Sequence, residues 1–235
     1  MAAVKVSPVE LADRLGLVTA GELIPGHVPI TRGAGPVSVL PVTEDLRALL
    51  PEAGLAGQVA IPSARPGATS LLWRLLAGPS SAGQWCAVVG ARWLYPLAAT
   101  AAGVALERVA LVDVVGPEEV LTALGALCEG VPVVAASSTG LSPQQVQRAV
   151  ARARRSGTIL IWREGSRPVP GVDVRLDPEA CQWRGLRRNA GRRWGAGRLD
   201  SCWLSVAATW RGNERPRRAE VWPYGEANGG FGEVP

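Results

Sequence analysis

Two hydrophobic periods run along this chain, and the change between them falls near residue 172. From residue 57 onward, short near-continuous apolar runs occupy 59–61, 85–89, 109–115, 131–136 and 158–162. Runs with helical spacing lie between them, at 68–77, 94–104, 117–128 and 143–155. Apolar strands alternating with helices of this size predict a mostly parallel sheet covered on both faces, an α/β fold. Ser142-Pro143-Gln144-Gln145 is a capping box with proline at the first helical position, which fixes the start of the last of these helices. Past residue 172 the pattern alternates in and out, in Val172-Asp173-Val174-Arg175-Leu176, 201–209 and 218–222. That period predicts antiparallel strands added at the C-terminal end of the sheet.

The flanks read differently. Ser7-Pro8-Val9-Glu10 is a further capping box, opening a short helix with Val9, Leu11, Leu15 and Leu17 as its apolar positions. Residues 21–41 are rich in Pro and Gly and read as a connector, and 43–50 as a second short helix stopped by Pro51. The chain divides into a helical segment and connector (1–54), a core (55–224) and a Gly-rich tail expected to be mobile (225–235).

Composition narrows the class. The 235 residues are 47% hydrophobic and 19% charged, enough to bury a substantial core. Every apolar stretch is interrupted well before the ~20 residues of a membrane span, and the first residues lack a signal-peptide pattern, so a cytoplasmic protein is expected. Cys86, Cys128, Cys181 and Cys202 are widely spaced and His27 is the lone histidine, which argues against a zinc site. Four reduced cysteines, mostly filling the core, are expected. Charge is uneven: residues 1–145 carry 8 basic and 11 acidic side chains, residues 146–235 carry 17 and 9. A basic C-terminal third suits an anionic partner.

The first candidate site follows the first strand. Pro62-Ser63-Ala64-Arg65-Pro66-Gly67-Ala68-Thr69-Ser70 has the strand–loop–helix layout of a phosphate-binding loop without its chemistry. With Gly67 as the second glycine of G-x-x-x-x-G-K-[ST], Pro62 takes the place of the first glycine and Ala68 that of the lysine. Thr69 supplies the hydroxyl.

The second candidate site is basic and aromatic. Trp183, Arg184, Arg187, Arg188, Arg192, Arg193, Trp194 and Arg198 fall in one Gly-rich stretch, and Arg211, Arg215, Arg217 and Arg218 in a run between the last two strands. Arginine pairs phosphates, tryptophan stacks on bases and glycine lets backbone wrap, so nucleic acid and an acidic protein are both candidate partners. Asp177 and Glu179 near this stretch balance its charge. Among the nine tryptophans, Trp73 and Trp85 lie in apolar runs and are expected in the core. Trp93, Trp183, Trp194 and Trp210 sit beside Arg or Gly, where burial and an interface role are equally open. Glu118-Glu119 at a helix start fits the helix dipole.

The order of a helical piece, a loop-bearing strand–helix, alternating β/α units and late antiparallel strands resembles the RecA ATPase core over about residues 55–224. Residues 85–92 resemble the second strand and its exit, where Arg92 stands in place of the water-activating glutamate. Residues 131–137 resemble the Walker-B strand, whose terminal aspartate is replaced by Ala136 or Ser137. With the loop lysine also absent, the resemblance implies a pseudo-ATPase with no catalytic residues and no cofactor, since phosphoryl transfer needs a metal clamp and a positioned nucleophile. The short core, broken loop and Arg/Trp-rich C-terminal segment resemble the ImuA family in its actinobacterial ImuA-prime form. That resemblance implies an accessory role in damage-induced translesion synthesis. Its partners would be an ImuB-type inactive Y-family polymerase homologue, an error-prone C-family polymerase indirectly, and single-stranded DNA or RecA. A nucleotide-binding RecA-like ATPase with a rearranged loop, and a SulA-type cell-division inhibitor, are the alternatives.

Overall fold

A computed structural model of the chain describes residues 39–91, 94–188, 197–213 and 215–225. The predicted N-terminal helix, His27, Arg92, Trp93, Arg192, Arg193, Trp194 and the tail beyond residue 225 lie outside the described residues.

The alternating period folds as its pattern requires. The elements are α1 (Glu44–Arg47), β1 (Val59–Pro62), α2 (Ala68–Ser81), β2 (Cys86–Val89), α3 (Pro96–Ala101) and β3 (Val109–Val112), the last entered through a 3₁₀ turn at Leu106–Arg108. They continue with α4 (Pro117–Leu127), β4 (Val133–Ser137), α5 (Pro143–Ser156), β5 (Ile159–Glu164), β6 (Val174–Arg188), β7 (Gly197–Trp210) and β8 (Arg217–Tyr224). One sheet contains all eight described strands in the order β3-β2-β4-β5-β1-β6-β7-β8. Strands β1 to β5 are mutually parallel, and β6–β7 and β7–β8 are antiparallel. No helix among the described residues is long and apolar enough to cross a membrane.

Two apolar layers cover the sheet. Val59, Ile61, Val88, Val133, Ala135, Ile159 and Ile161 face α1, α2 and α3. Their neighbours Ala60, Ala87, Val89, Val134, Ala136, Leu160 and Trp162 face α4 and α5. Because successive strand residues point to opposite faces, burial on both sides demands the continuous apolar runs seen in the sequence. The Ser142 capping box forms as expected: Gln145 N–H donates to Ser142 Oγ at 3.3 Å, and Ser142 N–H to Gln145 Oε1 at 2.8 Å.

Five expectations are corrected. Val172–Leu176 was expected to lead an antiparallel set, but β6 pairs in parallel with β1 at Val174 and Arg175 and is antiparallel only to β7. The basic stretch, where glycine was expected to let the backbone wrap, is strand at both ends: β6 continues to Arg188, and β7 begins at Gly197 rather than at residue 201. Trp85 is half-buried rather than in the core, with the Arg108 guanidinium 5.6 Å from its ring centroid, whereas Trp73 is fully buried. The helix expected over 94–104 is shortened at both ends, and α2 runs four residues further than expected, through Pro79.

Polar ties missed in the sequence join these layers. Gln58, 1% exposed, donates through Nε2 to Thr158 O and accepts from Leu160 N–H, both at 3.2 Å, locking the start of β1 to β5. Asp45 accepts from Arg74 Nε and from Trp222 N–H, at 3.0 and 2.9 Å, joining α1, α2 and β8.

Candidate functional site

The loop between β1 and α2 can be judged by where its backbone donors go. Phosphate-binding loops work because successive N–H groups point at the anion. Here Pro62 and Pro66 have no N–H at all. Ser63 N–H is given to Glu164 O at 3.0 Å, Arg65 N–H to Pro62 O at 3.3 Å, and Ala68 N–H to Arg65 O at 3.2 Å. Ala64 and Gly67 alone keep uncommitted amides between Pro62 and Ala68. Three of the loop's amides are thus already used inside the protein, two of them on the loop's own backbone.

Side chains close the same space. Gly67 sits at φ +84°, and a Cβ there would lie 2.3 Å from Leu204 Cδ2 and 3.4 Å from Cys181 Sγ. Arg65 leaves the loop to pair with Asp177 on β6 at 2.9 Å. Ser70, in the first turn of α2, is buried and hydrogen-bonded to Tyr224, whose phenol is pushed up by burial against the opposing effect of that bond. Thr69 is partly exposed.

The positions that would hold metal and water complete the picture. Residue 137, not 136, belongs to the face shared with α2, because Val133 and Ala135 lie in that layer and Ala136 in the other. Ser137 therefore ends β4 on the face of the loop, hydrogen-bonded to Thr139 Oγ1 at 3.0 Å. Arg163 pairs in register with Ser137 on one side and Ile61 on the other, and alternation puts it on that same face. Burial pushes its guanidinium down to about 10, still cationic at neutral pH. A fixed cation beside Ser137 opposes a divalent metal there. Sequence reasoning passed over Arg163 because it ends an apolar strand; its only signal was a charge two residues after a fully buried position.

Glu164, next along β5, points to the other face. It is 4% exposed and accepts from Val169 N–H at 2.7 Å and from Arg175 Nη2 at 2.5 Å. This pair fixes the turn after β5 and the start of β6.

A profile of the MT3502 N-terminal domain family matches residues 48–171, just over half of the chain. The chain belongs to the MT3502 N-terminal domain family. The family segment takes in β1 to β5 and α2 to α5, hence the loop, Ser137 and Arg163, and stops before β6. No curated protein matches the chain.

The basic candidates therefore lie outside the family segment, and the structure separates them into two groups. Arg184, Arg187, Arg188 and Arg198 lie where β6 and β7 pair beyond β8. Arg211, Arg215, Arg217 and Arg218 lie at the opposite end of β7, roughly 40 Å away along the strand at ~3.4 Å per residue. Two of that second group are occupied: Arg218 makes a two-point pair with Glu179, at 2.9 Å each, and Arg217 lies 4.9 Å from the Trp210 ring centroid. Asp177 and Glu179, expected to balance the 182–198 stretch, pair instead with Arg65 of the loop and with Arg218 of β8. Trp183 is 46% exposed and stacks on Tyr224, with ring centroids 5.4 Å apart and planes inclined by 22°.

Proposed function

We propose that this protein is a non-catalytic, RecA-like accessory protein of the ImuA type. It would scaffold a translesion-synthesis complex through contact with an ImuB-type inactive polymerase homologue. The observation that carries the reading is the loop between β1 and α2, which has two prolines without an N–H, gives the amides of Arg65 and Ala68 to its own backbone and that of Ser63 to β5, and holds the buried Ala68 at the lysine position. Ser137 and Arg163 support it, since a hydroxyl and a cation stand where phosphoryl transfer needs an acid holding a metal. The sheet supports the RecA-like part: a loop-bearing β1 inside a parallel sheet, with antiparallel strands following on one side. A fold that keeps this architecture without its chemistry is retained for its surfaces.

Two measurements test the reading. Equilibrium dialysis with ATP and Mg²⁺ should show no binding, and the purified chain should release no phosphate above buffer. Affinity capture from DNA-damaged cells should recover a Y-family polymerase homologue, and a variant lacking residues 181–235 should lose it. Magnesium-dependent ATP binding by the wild type would favour the rearranged-loop ATPase and sink the proposal.

A further inference from the structure

Helices α4 and α5 lie side by side and run in the same direction. Gln145 Nε2, in the first turn of α5, donates to Glu118 Oε1 in the first turn of α4 at 3.1 Å. At the other end Arg152 pairs with Glu129, just past the last turn of α4. The outer crease between the two helices is a groove of about 280 Å³. Its floor is Leu121, Leu124, Gly125 and Cys128 of α4 with Ala149 of α5. The α4 residues fall at i, i+3, i+4 and i+7, the ridges between which the side chains of a further helix fit. Gly125 stands in the middle of them. Glycine weakens a helix relative to alanine, and no close approach within the fold demands it here. A Cβ at that position would meet only the guanidinium of Arg152, with Nη1 at 3.3 Å and Cζ at 3.6 Å. What the missing side chain does is keep the groove open.

The α5 wall of the groove is basic. Residues 143–156 contain four arginines and no carboxylate. Arg154 turns away to Asp173 and Arg152 has Glu129, but Arg148 and Arg155 make no hydrogen bond or ion pair with another described residue. Both are exposed, and both line the groove. They stand two turns apart, about 10 Å at ~1.5 Å per residue. The helix dipole accounts for a cation in the last turn, where Arg155 sits, but not for Arg148 in the middle of α5. An apolar floor beside a row of cations selects its occupant. Nucleic acid would satisfy the arginines and leave the floor unused. An extended segment would meet only helix backbone, with no strand edge to pair with. An amphipathic helix matches both, its apolar stripe in the crease and its carboxylates along the arginine wall.

We propose that the α4–α5 groove docks an acidic amphipathic helix of another protein, with carboxylates on Arg148 and Arg155 and an apolar side chain at Gly125. The groove lies inside the family segment and apart from residues 181–235. The inference goes beyond the accessory-protein reading, and neither ATP binding nor removal of residues 181–235 bears on it. The test is fluorescence anisotropy of a labelled helical peptide of about five turns, with leucine on one stripe and glutamate beside it, titrated with the full chain. It should bind, and more weakly as salt is raised. The same residues in scrambled order should not bind, nor should the peptide with lysine in place of glutamate. Arg148→Glu with Arg155→Glu should lose tenfold or more in affinity. Gly125→Leu should lose as much without a lower melting temperature, because leucine favours the helix and meets only a movable side chain. No binding of the acidic peptide would overturn the proposal, as would equal binding of the scrambled one or wild-type affinity in Gly125→Leu. Displacement of the peptide by oligo-dT at equal charge would also overturn it, and would assign the arginines to nucleic acid.

Discussion

Replacing Glu164 by glutamine perturbs the tie between β5, the turn after it and β6. Glu164 is 4% exposed and accepts from Val169 N–H, Arg175 Nε and Arg175 Nη2 at 2.7, 3.2 and 2.5 Å. An amide keeps one oxygen for Val169 and Nη2, but turns its NH₂ against the Arg175 Nε–H and removes the counter-charge. A hydrogen bond to a charged group contributes about 1.5–3 kcal/mol, and removing one partner of a fully buried pair costs about 3–5 kcal/mol. The Arg175 side chain is 33% exposed, so water recovers part of that cost, and the expected loss is about 2 kcal/mol. For a unit of this size that lowers Tm by about 4–8 °C. Urea unfolding followed by far-UV circular dichroism should show a lower midpoint with the same m value. Glu164→Leu combined with Arg175→Met should return to within about 1 kcal/mol of wild type, because a well-packed apolar pair replaces a buried ionic one at little net cost. An unchanged midpoint for Glu164→Gln, or a double variant as unstable as the sum of the singles, would refute the reasoning.

Three further outcomes follow from the packing. Ala68→Lys should lower Tm without creating Mg²⁺-dependent ATP binding, since Ala68 is 2% exposed and the amides of Ser63, Arg65 and Ala68 are already committed; ATP binding by dialysis would contradict this. Gly78→Ala should destabilise by at least about 2 kcal/mol in spite of alanine's helix propensity, because its Cβ would lie 2.4 Å from Pro41 O and 2.5 Å from Val42 Cα; a neutral effect in urea unfolding would count against that close approach. Burial pushes the Cys86 and Cys202 thiols up to about 12 and Cys128 up to about 11, from an ordinary 9.0. The folded state then holds protons that the unfolded chain releases, so stability is full below pH 9 and falls as pH rises toward the folded values. Each thiol contributes about 1.4 kcal/mol per pH unit to that slope, and Cys86→Ala should remove one thiol's share of it in alkaline unfolding curves.

The parallel half of the fold was legible because its strands are buried on both faces, leaving runs such as 131–136 that no other element produces. The Ser142 box was legible because capping is a local hydrogen-bond pattern. The loop's shortage of amides and its lack of a lysine were readable from Pro62, Pro66 and Ala68. The far end of β6 was hidden, because Gly185 breaks the alternation that marks a strand, and only the partner strand's ladder makes residues 182–188 regular. The parallel pairing of β6 with β1 was equally hidden. Two residue pairs carry it, and strand direction is decided by where the chain returns rather than by its alternation. Arg163 escaped notice because its neighbours, not its own position in the sequence, place it beside Ser137.

The eight-stranded sheet leaves two edges open among the described residues, β3 at one end and β8 at the other. Adjacent strands rotate by roughly 20° per step, so seven steps turn the strand direction by about 140° from one edge to the other. The exposed apolar edge with Leu111 and Val115 and the β8 edge therefore lie along lines that cross at roughly 40°. A rigid straight partner can lie along one of them and not both. Two partners bound at once would be held apart by the twist itself, which makes the sheet a spacer that sets the angle between whatever the two edges hold.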